Sequence, residues 1–344
     1  MLGVSSFNFL STKILEFQNM NHKISIICPT FNVGPRMRDT LDGILAQTYL
    51  DWELLVMDGG SNDETVDLVK SYSAKDSRIK IYSEPDEGTL HACEKGLALA
   101  SGDFLIIACG QDYFTDPNWF SIAIKVLEGD EQISLVWALG RGITEEGRDV
   151  GTNASYSHFI EGRGRWKSFR VFLNKSLVIA KVLLFSSWQN KKFIISKIFS
   201  STASLRIHSI TASGFPQNQF PQKEDWFFYW LKTGLVFPDQ CLVVSMRVYL
   251  ECAPRYKMGS KRANSFNDFI FNFNVKGYLA YFVPAYVGYG LLHATSSGHR
   301  AAKEIHLESE KYFNAISSFR KNKSGQTFTF LDRNGNAVSK RVIK

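Results

Sequence analysis

The sequence lacks most of the features that would take it out of the class of ordinary globular proteins. Cysteine is scarce: Cys28, Cys93, Cys109, Cys241 and Cys252 are odd in number and include no C-x-x-C pair. That argues against a disulfide framework and against a zinc site, and fits a reducing cytoplasm. Long apolar runs are missing as well. Lys175, Lys181, Gln189, Lys191 and Lys192 interrupt the apolar stretch 171–199, and a membrane span needs about 20 apolar residues in a row. The stretch 278–294 is apolar but short, contains Pro284 and is rich in tyrosine. It is expected to be a buried or helix-packing segment, with interfacial membrane contact as the alternative. No charged-then-apolar leader with a small-residue cleavage site opens the chain. Met20 sits just before the first strand signal, so residues 1–22 read as an N-terminal extension. No internal repeat or low-complexity block is visible.

What is present is a chain of 344 residues, 44% hydrophobic and 21% charged. It is long enough for one large domain or two smaller ones and far from the composition of a disordered protein. The net charge of +7 admits nucleic acid, anionic lipid or a polyanionic small substrate such as a pyrophosphate. The basic residues are scattered, with the densest patches at 163–170, 191–192 and 255–262. No nucleic-acid stripe forms, and nucleic acid is not an expected partner.

From Lys23 to about Lys125, short apolar runs alternate with amphipathic stretches, the pattern of consecutive βαβ units and a mainly parallel sheet. Strands are predicted at 24–28, 53–57, 79–82 and 104–108, with helices at 36–47, 64–73 and 88–100 between them. A further strand is predicted at 133–139. In such a sheet ligands bind beyond the carboxyl ends of the strands, where helix N-termini and free loop amides converge. The residues there are Thr30, Phe31 and Asn32; Asp58, Gly59, Gly60 and Ser61; Glu84 and Asp86; and Gln111 and Asp112. They should form one rim.

The runs ISIICPTFN, LAQTYLDWELLVMDGGSNDETVDLV and YSEPDEGTLHACEKGLALASGDFLIIACGQD, in that order and spacing, resemble family 2 glycosyltransferases of the GT-A fold. The resemblance covers roughly the first third of the chain. It implies an α/β fold of Rossmann-like type, a mostly parallel central sheet flanked by helices, with a helical C-terminal region. It divides the chain into an extension at 1–22, a nucleotide-sugar-binding half at 23–125, an acceptor-binding half at 126–250 and a C-terminal region of unclear fold at 251–344.

The resemblance also implies roles. Pro29, Thr30, Phe31 and Asn32 stand where the family places an aromatic ring against the nucleotide base and small polar groups near the ribose; stacking gives affinity with little discrimination between bases. Asp58 looks like the nucleoside-contacting acid, able to accept from a base N–H or a ribose hydroxyl; a turn or helix-capping acid is the competing reading. Many relatives carry a second acid close behind it, where this chain has Gly59 and Gly60. Asp86 is a second candidate for nucleoside contact, and Lys95 matches the family in the following helix, where His91 is a plain helix histidine. Cys109 to Tyr113 occupies the place of the D-x-D-like cluster, with Gln111 for the first acid and Asp112 for the metal-ligating one. A divalent ion (Mn or Mg) held there would bridge the diphosphate. In FPQKEDWFFYWLKTG, Asp225 resembles the family's catalytic acid, a general base for the acceptor hydroxyl, with Glu224 as alternative or helper; an acid pair capping a helix start competes.

The expected activity is therefore inverting transfer of a sugar from a nucleotide diphosphate, a UDP-sugar by family habit, to a glycan or lipid-linked acceptor. The expected setting is the cytoplasm, with peripheral contact at the inner face of the membrane. Two alternatives remain open. A sugar nucleotidyltransferase should carry a Gly-rich basic loop after the first strand, which CPTFNVGPRMRD lacks; a nucleotide-sugar-binding pseudoenzyme would explain Gln111 and Gly59.

Overall fold

The computed structural model describes residues 22–144, 149–152, 220–237, 241–254, 266–292 and 302–344. The extension before residue 22, the stretch 171–199 and the basic patches at 163–170, 191–192 and 255–262 lie outside the described residues.

Strands β1 (Ile24–Thr30) and β2 (Trp52–Asp58) are buried along their whole length. Strands covered on both faces must be apolar throughout, which is why these sequences show no alternation. Between them, α1 (Met37–Leu45) buries Met37, Thr40, Leu41 and Ile44, the three-and-four spacing of a helix with one face on a sheet. The chain continues through α2 (Thr65–Ser73), β3 (Ile79–Ser83), α3 (Thr89–Leu99), β4 (Phe104–Ile107), β5 (Asp112–Phe114) and α4 (Trp119–Gly129). Then come β6 (Ile133–Thr144), β7 (Asp149–Thr152), α5 (Lys223–Thr233), β8 (Leu242–Ser245), α6 (Met246–Cys252) and α7 (Phe266–Lys276). The last elements are β9 (Leu279–Leu292), α8 (Ala302–Lys323) and the hairpin of β10 (Thr327–Leu331) and β11 (Ala337–Val342).

One mixed sheet organises the fold, in the order β3-β2-β1-β4-β8-β6-β9-β5, with β7 paired to β6. The first four strands are mutually parallel. β8 runs antiparallel to both β4 and β6, so β6 shares the direction of β1 and β4, and β9 runs parallel to β6. The carboxyl ends of β1 to β4 therefore lie along one edge, the expected rim. The α/β architecture with helices on a central sheet is the one expected, and α7 and α8 supply helices after residue 251.

Within the segment 278–294, residues 279–292 form a sheet strand, β9, buried at Leu279, Ala280, Phe282 and Val287 as the first of the two readings expects and not packed as a helix. Its β-branched and aromatic residues suit a pleated, half-buried surface. Pro284, which has no N–H to give, sits where the pairing with β6 slips between Trp137 and Leu139. Residues beyond 251 thus contribute a strand to the same sheet as residues 23–125, and the boundary expected at 250 falls inside α6.

Aromatic packing holds α5 to the sheet. Trp137 of β6 lies 4.5 Å from the ring of Phe282 and 5.1 Å from that of Trp226, centroid to centroid. Trp226 stacks on Phe237 at 4.6 Å, and Trp230 donates its indole N–H to Tyr312 Oη at 2.8 Å. These tryptophans fill the interior; they do not line a cleft.

At the opposite, amino edge, Glu53 is buried within β2 with its side chain only 3% exposed. It accepts hydrogen bonds from Ser25 Oγ, the Ser101 amide and Ser101 Oγ, each at 2.8 Å. Lys80 and Lys23 supply positive charge at 3.2 and 3.6 Å. Arg333, in the turn of the β10–β11 hairpin, donates to the carbonyl oxygens of Leu127, Asp130 and Glu131 at the end of α4.

Candidate functional site

The rim is knitted together by side chains that sequence reasoning passed over. The Asn32 backbone sits in the left-handed region, φ 49°, which asparagine tolerates better than most residues. That turn lets its N–H donate to Ser61 Oγ at 2.8 Å while its Oδ1 accepts from the Asn62 amide at 2.9 Å. Thr65 Oγ1 accepts from the amides of Val33 and Gly34. The loops after β1 and β2 are thus one unit. The signal was present in the Ser-Asn-Asp run after Gly60, whose short polar side chains characteristically bond nearby backbone.

Asp58 anchors this unit from within. It is 1% exposed, and Oδ2 accepts from the amides of Gly60 and Ser61 and from Ser83 Oγ at 3.1, 2.9 and 2.7 Å. Its Oδ1 accepts from Ser61 Oγ. A carboxylate so enclosed is committed to holding its loop. Of the two readings of Asp58, the turn acid is the one its contacts match, since an enclosed carboxylate offers a nucleoside little surface to reach.

Asp86 is placed differently. It is partly exposed, and its Oδ1 accepts from the Gly88 amide at 2.7 Å. Its Oδ2 lies 2.9 Å from where a Cβ on Gly59 would stand. Glu84 pairs with Lys95 at 3.0 Å, so the Lys95 ammonium is already balanced by a neighbouring carboxylate. His91 Nδ1 accepts from the Glu87 amide at 3.2 Å, a local turn contact. Phe31 is 54% exposed at the end of β1. A large ring left this open above a strand end is available for stacking.

The third part of the rim follows β4. Gly110 passes so close to β1 that a Cβ there would stand 2.9 Å from Thr30 Oγ1, and its amide donates to the Pro29 carbonyl at 3.3 Å. Asp112 Oδ2 accepts from the Cys109 amide at 2.7 Å, closing a tight turn that also contains Gln111. Burial raises the Cys28 thiol to about 12, against a lowering hydrogen bond with Thr30 and with a further rise from the Asp112 charge. That coupling sets Asp112 beside the end of β1, and it leaves Cys28 an inert thiol. Pro29, Thr30, Phe31, Asn32, Asp86, Gln111 and Asp112 therefore meet along one edge.

Glu224 and Asp225 do not join them. Gln222, just ahead of α5, pairs its side-chain amide with the backbone of Phe282 at 3.0 and 2.7 Å. Phe282 stands opposite Trp137, and Asp112 opposite Gly290, which pairs with Gly142. Five residues of β6 separate those levels, about 16 Å at roughly 3.3 Å per residue. From Gln222 the acids turn further toward the amino edge. Lys223 Nζ meets Asp130 at 2.7 Å, Ser339 Oγ donates to Glu224 at 2.6 Å, and Arg341 pairs with Asp225 at 2.5 Å. The expectation of a shared cleft for Asp112 and Asp225 is corrected: the first turn of α5 is bound to the β10–β11 hairpin, and its acids belong to that contact.

Asp112 is the acid at the end of the rim where a metal is expected, and among the described residues no group of three or more His, Cys, Asp or Glu side chains could hold one. A small divalent ion is commonly bound by one or two carboxylates together with substrate phosphates and water. The donor set fits an ion that arrives with its diphosphate and not a site built from protein ligands alone.

Residues 25–181 match the family described as Glycosyl transferase family 2. Over 114 residues the chain is 38% identical to a PGL/p-HBAD biosynthesis glycosyltransferase of Mycobacterium tuberculosis (strain ATCC 25177 / H37Ra), covering 33% of this chain and 44% of that protein. It is 23% identical over 155 residues to a chondroitin synthase of Pasteurella multocida (strain Pm70), covering 44% of this chain and 16% of that one. The chain thus spans less than half the length of these curated relatives. Among solved structures, S. aureus TarS in complex with UDP-GlcNAc is 13% identical with a TM-score of 0.49, covering 80% of this chain and 60% of that one. The mannosyltransferase PcManGT from Pyrobaculum calidifontis, in complex with GDP-Man and Mn2+, is 16% identical with a TM-score of 0.46, covering 81% and 59%.

Proposed function

Since residues 25–181 match the family described as Glycosyl transferase family 2, we propose that the chain is an inverting glycosyltransferase that binds a nucleotide diphosphate sugar along the rim and transfers the sugar to a glycan or lipid-linked acceptor. One observation carries this reading: the loops after β1, β2 and β4 are bonded into a continuous edge, through Asn32 with Ser61 and Asn62 and through Gly110 with Pro29. That edge presents an exposed ring, Phe31, and a carboxylate, Asp112, about as a nucleotide with a charged tail requires.

Phe31 offers its face to the base, worth about 1 kcal/mol of stacking, and Asn32 and Gln111 supply amide groups for ribose or sugar hydroxyls. Asp112 would hold a divalent ion (Mn or Mg), whose chemistry is to offset the charge that grows on the departing diphosphate. UDP-sugar is the donor favoured by family habit, and the chondroitin synthase relative supports a glycan acceptor. A cytoplasmic setting is supported by five free thiols. Among the described residues no helix is long and apolar enough to cross a membrane, so contact with an inner membrane face would be peripheral.

The placement of Asp225 favours a second reading, donor binding without transfer, because the expected base does not face the rim. A thermal-shift screen of UDP-, GDP- and CDP-sugars with and without manganese tests donor binding, since a ligand that binds the native state raises its melting temperature. Manganese-dependent release of the nucleoside diphosphate then separates the readings. No shift with any nucleotide sugar refutes both; a shift without release establishes the second.

A further inference from the structure

A carboxylate that faces outward from a nucleotide-binding edge can recognise a base by accepting a hydrogen bond from its ring N–H. Asp58 is buried and does not supply one: its two oxygens take three donors from Gly60 and Ser61 of its own loop and a fourth from Ser83 at the end of β3. Position 59, the next along the chain, is glycine, and the space its side chain would fill is taken by the carboxylate of Asp86, with Oδ2 at 2.9 Å and Cγ and Oδ1 at 3.2 Å from the ideal Cβ. The contact is exclusive: any side chain at 59 would displace Asp86. The Asp86 carboxylate is itself oriented, since Oδ1 accepts from the Gly88 amide at 2.7 Å, which turns Oδ2 toward Gly59. Backbone hydrogen bonds from Gly59 to Thr30 and from Glu84 to Asp58, at 2.9 and 3.0 Å, tie the two loops to β1 and β2.

We propose that Gly59 and Asp86 form a reciprocal pair, in which the β3–α3 loop delivers through Asp86 the carboxylate that the β2–α2 loop does not carry, and that this carboxylate selects the donor's base. A fixed carboxylate accepts only, so it favours bases with a ring N–H beside a carbonyl, uracil or guanine, and disfavours cytosine, whose ring nitrogen at that edge is itself an acceptor. Asp86 is a binding and specificity residue, and its role rests on the donor-binding reading above.

The test is binding alone, by calorimetry on the full chain with UDP, GDP and CDP, so turnover is not needed. The wild type is expected to prefer UDP or GDP over CDP. Asp86→Ala should narrow that preference by about tenfold, the effect of one lost charge-assisted hydrogen bond. Asp86→Asn keeps an acceptor for the Gly88 amide and so controls for a collapsed turn; it should narrow the preference equally, with CDP binding gained. Gly59→Asp alone should weaken UDP binding by crowding Asp86, and the double variant Gly59→Asp/Asp86→Gly should recover it. Equal affinity of the wild type for UDP, GDP and CDP, an unchanged ratio in both Asp86 variants, or a double variant no better than Asp86→Gly overturns the pair while leaving donor binding in place. Failure of the wild type to bind any of the three overturns the donor-binding reading together with it.

Discussion

Replacing Glu53 with glutamine should cost this protein about 3 kcal/mol at neutral pH, and the cost should vanish in acid. Burial by itself would raise the Glu53 carboxyl. The Ser101 amide, the hydroxyls of Ser25 and Ser101 and the Lys80 ammonium outweigh it and bring the group down from 4.5 to about 2. A carboxyl held lower in the folded state than in the unfolded one stabilises the fold wherever the unfolded chain is ionised. That contribution is complete above pH 4.5 and is lost as the pH falls through about 2. At about 1.4 kcal/mol per pH unit, the interval is worth roughly 3 kcal/mol; the side chain is almost fully enclosed, so solvent screening takes little from it. Glu53→Gln keeps the shape and removes the charge. Urea denaturation of both proteins at stepped pH should show a constant gap between them above about pH 5 that closes toward pH 2. Other titrating groups act on both proteins alike and cancel. A gap under about 1 kcal/mol at pH 7, or one that does not change with acid, would refute the argument.

Phe31→Ala should weaken nucleotide-sugar binding by about 1 kcal/mol without lowering the unliganded melting temperature, because the ring is exposed; calorimetry with an unchanged dissociation constant would remove it from the site. Asp112→Ala should abolish the dependence of donor affinity on manganese, and a titration that still responds to the ion would place the ligand elsewhere. Asp225→Asn should leave any nucleoside diphosphate release within about threefold of wild type and cost under about 1 kcal/mol of stability, as an exposed ion pair with Arg341 would. A hundredfold loss of release with donor binding intact would restore Asp225 as the base, and would require α5 to part from the hairpin during turnover.

The donor half was legible because local patterns decide it. Apolar runs such as 24–28 and 104–108 can be buried parallel strands and little else once helices alternate with them, and strand ends then rank the loops without any knowledge of contacts. Strand ends placed Phe31, Asp86, Gln111 and Asp112 on the rim, and the structure has them along that edge. Asp58 kept two readings because an acid after a strand looks alike whether its lone pairs point out or in, and the serines that claim them, Ser61 and Ser83, come from two separate segments. β9 was missed because a proline in a tyrosine-rich apolar run argues against a strand unless a bulge takes it up, and that bulge, Val283 to Ala285 opposite Ala138, is defined only by pairing with β6, far away in sequence. Asp225 matched a motif in register, but its environment is set by Ser339 and Arg341 near the other end of the chain, and nothing local to residues 220–234 announces them.

The pairing of β5 with β9 has a consequence for how the molecule comes into being. Asp112 is translated early, yet the strand that fixes it, through Gly290, leaves the ribosome only when most of the chain has been made. The parallel strands at the front can collapse on their own helices while synthesis continues, but the edge bearing Asp112 must wait, exposed, for a partner of high sequence separation, and such pairings are slow. A nascent or shortened chain ending before β9 would therefore be expected to settle its front strands while leaving the Asp112 turn unsupported and its sheet margin open to association with other chains.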